Sequence, residues 1–393
     1  MPPPLPPLLH TSEAGSFAHR TLKVRVPAIL RDTISANDFP PAVLARLNAL
    51  HDEITGGVVQ HLAEDAPDVA EWNRWSAPNF GRSWLDVPWY WAEAYFYRRI
   101  LEATGYFQPG PLRGFDPFAS TKRREWVPEA APATVERLLS GVSGDLQTRF
   151  EQMLHASLWG NRTDLSYTVA AHLGATAEPG QERANLLVDD WQAVWAHLLA
   201  HEGGRVGIIM DNAGTELLMD VALADFLLST ELASAVHLHL KPQPFFVSDA
   251  MKADLADGTD ALIAAGGLAA RLGRRIDGAV AAGELLLETH PFYASPLFHS
   301  SMPEDLRRSL GRLDLVIVKG DANYRRLAGD AHWPPTVAFD TVTAYFPAPL
   351  VALRTFKSEL VTGLPPGLAE ATAAADPDWL VNGVRGVIQA NLG

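Results

Sequence analysis

An acid and an amide, Asp211 and Asn212, directly follow an apolar run at residues 206–210. Gly214 then permits a turn, and a helical pattern begins at Leu217. This order predicts two oxygen-bearing side chains at the carboxyl end of a buried strand, where α/β proteins bind ligands. Carboxylate and amide oxygens suit hard divalent cations. The segment therefore predicts a metal site, although the same two residues after a strand are also a common turn or helix cap.

Polar clusters also follow the other strands predicted for the second half of the chain. The carboxyl ends of parallel strands face one side of a sheet, so we expect these clusters to converge on one crevice. Asp211, Asn212 and Asp249 could then hold a metal, while nearby cations could bind an anion such as phosphate. Taken singly, each cluster could equally be a turn, a cap or a solvated helix edge. The further candidates are Lys241, Lys319, Asp321, Asn323, Tyr324, Arg325, Arg354 and Lys357.

The elements that must position these residues alternate between helix and strand from about residue 184. Continuous apolar strands separated by helices predict a mostly parallel sheet that is covered on both faces. The connection between residues 241 and 312 is long, so we expect it to carry helices and a lid. The predicted helices are 184–201 and 215–232, and the predicted strands are 205–210, 235–240, 313–318, 336–339 and 350–353.

Residues 1–160 are predicted to form a mainly helical N-terminal domain, which leaves 161–393 as the α/β domain. Apolar residues recur at helical spacing in 42–50, 88–101 and 133–154. Tryptophans and tyrosines between residues 72 and 97 are expected to form a core there rather than a surface that stacks on a cofactor.

Composition excludes several classes of function. The 393 residues contain no cysteine, which rules out thiolate metal sites and cysteine nucleophiles. A net charge of -14 disfavours non-specific nucleic-acid binding, but a local basic pocket can still accept an anionic substrate. The proline-rich start is unlike a secretory signal, and no apolar run reaches the roughly 20 residues of a membrane span. We therefore expect a cytoplasmic protein that binds neither membranes nor nucleic acid.

Searches for other catalytic motifs give negative results. The sequence has no P-loop, no glycine-rich dinucleotide loop after a strand, no His-Glu-x-x-His and no Gly-x-Ser-x-Gly. His237 and His239 alternate on a predicted strand and so share a face. They could form a zinc pair, but we expect structural histidines at an interior strand.

The polar clusters, read together, resemble the DUF89 family of metal-dependent damage-control phosphatases. The resemblance spans nearly the whole chain, and its specific parts are Lys-Gly-Asp-x-Asn-Tyr-Arg and Arg-Thr-x-Lys. It implies a helical N-terminal domain on an α/β/α sandwich, and phosphatase activity on small phosphometabolites such as sugar phosphates. It also implies manganese, cobalt, nickel or magnesium as the cofactor. The matching segments are 16–21, 158–166, 211–216, 224–228, 241–249, 319–327 and 354–357.

The resemblance also implies roles for individual residues. Asp211, Asn212 and Asp249 are the expected metal ligands. Residues 321–325 and Lys357 are expected to contact the substrate. In this reading Asn161 and Asp164 line the same crevice.

A metal held by two carboxylates and an amide keeps open positions for water and a phosphoryl oxygen. Cationic side chains would offset the phosphoryl charge, namely Lys319, Arg325, Arg354 and Lys357. Our hypothesis is that metal-activated water attacks phosphorus and that Asp321 transfers the proton. Direct attack by Asp211 is an open alternative.

The sequence is also compatible with two rival functions. One is a protein-glutamate carboxyl methyltransferase that uses S-adenosylmethionine, the activity for which one branch of the family is named. The Asp211–Asn212 strand end argues against it, since most such enzymes have a glycine-rich turn there. The other rival is a non-catalytic sugar-phosphate binding protein.

Overall fold

The computed structural model describes residues 4–127, 129–160 and 179–393. Within them one seven-stranded sheet has the order β1-β7-β6-β5-β2-β3-β4. Strands β2 to β6 are parallel, whereas β7 is antiparallel to β6 and parallel to β1. The strands are β1 Leu186–Asp189, β2 Gly204–Ile209, β3 Ala233–Leu240, β4 Leu285–Thr289, β5 Leu315–Lys319, β6 Leu350–Thr355 and β7 Gly386–Asn391.

The helices fall into a group that precedes the sheet and a group that connects its strands. The first group is α1 Phe17–Arg20, α2 Val26–Ser35, α3 Pro41–Gly56, α4 Val69–Ser76, α5 Trp89–Thr104, α6 Ala119–Lys122, α7 Ala131–Gly141, α8 Leu146–Gly160 and α9 Pro179–Ala184. The second is α10 Trp191–Ala200, α11 Thr215–Ser229, α12 Lys252–Ala265, α13 Gly267–Ala282, α14 Glu304–Leu310, α15 Asp321–Ala328, α16 Phe339–Thr343 and α17 Leu368–Ala375. A π-helical turn spans Thr21–Arg25, and 3-10 turns span Ala77–Asn79, Arg123–Glu125, Pro291–Ala294 and His299–Ser301. None of the described helices is long and apolar enough to cross a membrane.

The sheet has a hydrophobic core on each face. Successive residues of β5 alternate between the two, because side chains along a strand point to opposite faces. Val316 and Val318 belong to the core shared with α2, α3 and α5, whereas Leu315 and Ile317 belong to the core shared with α8, α11 and α13. The expected α/β sandwich with a mostly parallel sheet and N-terminal helices is therefore confirmed.

The predicted bounds of four strands agree with the observed bounds to within a few residues; these are β2, β3, β5 and β6. The predicted strand at 336–339 is wrong. It follows Pro334 and Pro335, forms a turn, and leads into α16 at Phe339. The predicted helix at 184–201 is also wrong at its start, because Leu186–Asp189 is β1 and the helix begins at Trp191. Strands β4 and β7 were not predicted.

The aromatic residues between 72 and 97 form a core, as predicted. Trp72, Trp84, Trp91 and Tyr95 are all buried, and the Trp91 and Tyr95 rings stack with centroids 5.0 Å apart. Helices α7 and α8, by contrast, pack on α11 beside the sheet. The domain boundary at residue 160 stays a prediction.

Two histidines are buried close to the sheet. His239 on β3 is hydrogen-bonded through Nδ1 to the Tyr293 hydroxyl at 3.0 Å. His299 packs between Phe292 and Phe346, and neither ring nitrogen has a hydrogen-bond partner among the described residues. Burial lowers the pKa of His239 to about 3 and lowers that of His299 well below its ordinary value. Both side chains are therefore neutral in the folded protein near neutral pH.

These lowered pKa values predict an acid-sensitive fold. An unfolded histidine titrates near pH 6.5, whereas these buried rings stay neutral well below that pH. The free energy of unfolding should therefore be independent of these two groups above about pH 6.5 and fall as the pH drops below it, because only the unfolded state takes up the protons. The loss should be about 1.4 kcal/mol per pH unit for each histidine. Replacing His299 with Phe should remove one of these slopes and raise stability at pH 7 by about 1 kcal/mol. Urea unfolding at pH 7, 6 and 5 would test this, and an unchanged slope would contradict it.

Candidate active site

The three predicted metal ligands lie together at the carboxyl ends of β2 and β3. Asn212 and Asp249 face each other in an isolated antiparallel bridge, and the Ala250 amide donates to the Asp211 carbonyl at 2.8 Å. The Asn212 amide nitrogen donates to Asp211 Oδ2, also at 2.8 Å. All three side chains are buried. Strand pairing thus brings two carboxylates and an amide from separate loops into one small volume.

Neighbouring groups fix the orientation of these ligands. Asn212 Nδ2 also donates to Glu216 Oε2 at 2.8 Å, and Ser248 Oγ donates to Asn212 Oδ1 at 2.6 Å. Lys241 Nζ lies 3.0 Å from Asp249 Oδ2. Glu216 was not among the predicted site residues, although its place in the first turn of the helix after Asn212 is a usable signal.

The turn after β5 is in direct contact with Asp211. Gly320 has φ 80°, and a Cβ atom at this position would lie 1.9 Å from Asp211 Oδ2. The Gly320 amide is also fixed, since it donates to the Leu353 carbonyl of β6 at 2.9 Å. A side chain at residue 320 is therefore excluded both by the backbone conformation and by the ligand beside it.

Replacing Gly320 with Ala should displace Asp211 and lower kcat/KM by about a hundredfold, the usual effect of a misplacement near 1 Å. The positive φ should also lower the free energy of unfolding by about 1 kcal/mol. Steady-state kinetics and urea unfolding would measure the two effects. Gly283→Ala is a matched control, because Gly283 has φ 75° but no atom within 4 Å of its added Cβ. That control should lose stability and keep activity; full activity in Gly320→Ala would contradict the prediction.

Asp321 joins the ends of β5 and β6. Its Oδ1 accepts hydrogen bonds from Arg354 Nε at 2.7 Å, the Lys357 amide at 3.1 Å and Ser358 Oγ at 3.0 Å. The Arg354 guanidinium is 0% exposed and also donates to the Leu360 carbonyl at 2.6 Å. Arg354 thus orients Asp321. The role of Ser358 had no signal in the sequence.

Asn323 and Tyr324 bind other parts of the protein. Asn323 Nδ2 donates to the Met210 carbonyl at 3.0 Å, which ties α15 to the end of β2. The Tyr324 hydroxyl donates to Gln389 of β7 at 2.8 Å, and the Arg354 guanidinium lies 4.3 Å from the centre of its ring. Both residues support the strand ends, and their predicted contact with substrate stays a prediction.

Lys319 lies in a buried ionic cluster on the α11 side of the sheet. Its ammonium is 2.9 Å from Asp220 and 3.5 Å from Glu216, and it donates to both the carbonyl and the hydroxyl of Ser157. Burial alone would lower its pKa, but Asp220 and Glu216 outweigh that effect and raise the pKa. A direct contact with phosphate, as predicted, would require these bonds to break.

Arg325 forms a second buried cluster, with α5. It donates to Asp330 Oδ1 at 2.7 Å and to Glu93 Oε2 at 2.6 Å, and its guanidinium lies 3.6 Å from the centre of the Trp89 ring. Burial opposes its charge, but Asp330 and Glu93 raise its pKa. Arg325 therefore anchors the N-terminal helices to the end of β5, and its predicted role as a phosphate ligand stays a prediction.

The donor chemistry at Asp211, Asn212 and Asp249 fits a hard divalent cation, because all three offer oxygen ligands on short side chains. Among the described residues no three His, Cys, Asp or Glu side chains are placed to hold a metal. The predicted ligand set, two acids and one amide, is of a different kind and stays a prediction. Asn161 and Asp164 lie outside the described residues.

The fold places the chain in a class of proteins with known structures. A crystal structure of a DUF89 family protein from Pyrococcus horikoshii is similar in fold, with a TM-score of 0.50 over 95% of this chain and 98% of that one. The two sequences are only 13% identical, so this likeness concerns the fold alone.

Sequence comparison narrows the class to one family. The family model described as the damage-control phosphatase ARMT1-like domain matches residues 21–372. The chain is 34% identical over 437 positions to damage-control phosphatase ARMT1 of Danio rerio, covering 98% of this chain and 97% of the relative. It is 30% identical to damage-control phosphatase ARMT1 of Homo sapiens, covering 98% of both. The chain belongs to the ARMT1-like damage-control phosphatase (DUF89) family, and is thus a hydrolase.

Proposed function

We propose that this phosphatase hydrolyses phosphomonoesters of small metabolites, such as sugar phosphates, with a divalent cation at Asp211, Asn212 and Asp249. The observation that supports the proposal most directly is the contact between Gly320 and Asp211, which brings the β5 end against the candidate ligands. The same turn carries Asp321, with Arg354 and Lys357 beside it. Acidic oxygens and cations therefore occupy adjacent strand ends, as a metal and a phosphate would require.

The roles of this chain's own residues follow from their positions. A bound manganese, cobalt, nickel or magnesium ion would supply Lewis acidity to a phosphoryl oxygen. Asp321, oriented by three donors, is assigned the proton transfer. Lys357 is assigned to offset phosphoryl charge, with Arg354 adding positive charge behind Asp321. Lys319 and Arg325 hold the end of β5 in position through their buried ionic contacts.

A phosphate-release screen tests the proposal. Chelator-treated protein would be incubated with phosphosugars and aryl phosphates, each with manganese, cobalt, nickel or magnesium and with no metal. We expect release from some of these substrates with metal and none without it. No release from any substrate with any metal would overturn the proposal. Metal-independent binding of S-adenosylmethionine would favour the methyltransferase instead, and sugar-phosphate binding without release would favour a binding protein.

A further inference from the structure

Two charged side chains from the N-terminal part of the chain contact both loops of the candidate metal site. They are Lys122, the last residue of α6, and Glu125, the last residue of the 3-10 turn that follows. We call residues 119–125 the clamp segment. Neither residue belongs to a strand end, and neither was singled out by the sequence.

Lys122 holds the loop that carries Asp249. Its ammonium donates to the Asp249 carbonyl at 3.0 Å and to Asp254 Oδ2, in the first turn of α12, at 2.9 Å. Asp116 Oδ2 lies 3.1 Å away on the other side. Burial alone would lower the pKa of Lys122, but Asp116 and Asp254 outweigh it and raise the pKa. The Lys122 ammonium therefore bridges the clamp segment and the main chain of a predicted ligand.

Glu125 holds the loop that carries Asn212. Its Oε2 accepts from the Thr215 amide at 2.5 Å and from the Thr215 hydroxyl at 2.9 Å, at the first residue of α11. Gly214, just before this helix, has φ 77°, and a Cβ there would lie 2.2 Å from Glu125 Oε2. A carboxylate from another part of the chain thus caps the helix that follows the ligand pair, where a negative charge also meets the positive end of the helix dipole.

A cavity of about 440 Å³ lies behind the clamp segment, between it and α2. Its lining includes Thr121 and Arg124 of the segment and Val247 of the loop before Asp249. On this side the segment therefore has open space rather than close packing. Phe118 and Trp126 anchor its two ends in the hydrophobic cores, and Lys122 and Glu125 supply the polar contacts that join it to the two ligand loops.

We propose that Lys122 and Glu125 are positioning residues that hold the two ligand loops at the spacing required for metal binding. The proposal rests on the proposed function, since it assumes that Asp211, Asn212 and Asp249 bind a divalent cation. It assigns to the N-terminal helices a part in metal affinity, and not only in covering the sheet.

Calorimetric titration of the full chain with Mn²⁺ tests the proposal. Glu125→Ala and Lys122→Met should each raise the Mn²⁺ dissociation constant by about 10- to 100-fold, as loss of an outer partner of a metal ligand usually does. Glu125→Gln should have a smaller effect, because its amide oxygen still accepts from Thr215.

Glu136 provides a matched control. Its Oε2 accepts from the Ala269 amide at 2.8 Å at the start of α13, after Gly267 with φ 61°. Glu136→Ala removes the same kind of cap from a different helix, so it should lower the melting temperature comparably while leaving the Mn²⁺ dissociation constant unchanged. Equal weakening of Mn²⁺ binding in this control would show a general stability effect and overturn the proposal.

The two proposals fail in different ways. Wild-type Mn²⁺ affinity in Glu125→Ala, Glu125→Gln and Lys122→Met, with binding lost in Asp211→Asn, would overturn the positioning role and leave the metal site intact. Absence of Mn²⁺ binding to the wild-type chain, with no phosphate release, would overturn the proposed function itself.

Discussion

Asp211→Asn should lower kcat/KM for a phosphomonoester by about a thousandfold or more, a loss of about 4 kcal/mol of transition-state stabilisation. Asp211 is the residue on which the candidate ligands and the β5 turn converge, so removing its charge should weaken metal binding and catalysis together. Steady-state phosphate release across a manganese series, with calorimetric titration of the metal, would measure both losses.

The same variant should not lower stability in the absence of metal. Removing the Asp211 charge relieves its repulsion with Asp249 and Glu216 but also removes its attraction for the Lys319 ammonium, so the two effects should largely offset each other. Asp305→Ala is a suitable control, because Asp305 is 66% exposed and pairs with His290 rather than with any of the candidate ligands. Near-normal activity in a folded Asp211→Asn protein would show that Asp211 is not part of the catalytic site.

Lys319→Met should lower the free energy of unfolding by about 3–5 kcal/mol, the cost of leaving buried charges without their partner. Asp220 and Glu216 would lose their nearest cation while both remain almost completely inaccessible to solvent. Urea unfolding monitored by circular dichroism would measure the loss.

A double variant separates this charge effect from the loss of side-chain packing. Lys319→Met with Asp220→Asn should recover about 1–3 kcal/mol relative to Lys319→Met alone, because the adjacent uncompensated charge is gone while the amide can still bond Ser157. A single-variant loss below about 1 kcal/mol would instead place the ammonium in a solvated position, where the predicted contact with phosphate would be available.

Most of the residues in the strands that the sequence predicted are apolar and buried. Strand β5 is buried along its whole length, so its composition alone predicts it. Strand β1 is partly buried throughout and is separated from α10 by one residue, so its four residues continue the helical pattern and do not predict a strand. Strand β7 contains polar positions, and its burial depends on pairing with β6 and β1.

The residue types at the site were predictable for a similar reason, whereas the partners of the cations were not. Asp211, Asn212 and Asp249 lie at strand ends, and the topology of a parallel sheet predicts that such ends meet. The partners of Lys319 come from α8 and α11, and those of Arg325 include Glu93 on α5. These contacts join parts of the chain that are far apart, and no local pattern encodes them.

The pairing of β1 with β7 has a consequence for how the enzyme is made. The Ala390 amide bonds to Asp190, 200 residues earlier in the chain, and Arg354 on β6 lies opposite Val387 on β7. During synthesis β1 and one edge of β6 therefore remain unpaired until β7 has left the ribosome. An unpaired strand edge is prone to aberrant strand pairing. Because Arg354 orients Asp321, the nascent enzyme should become active only after β7 has paired. Slow translation or a shortage of chaperones should therefore lower the yield of active protein.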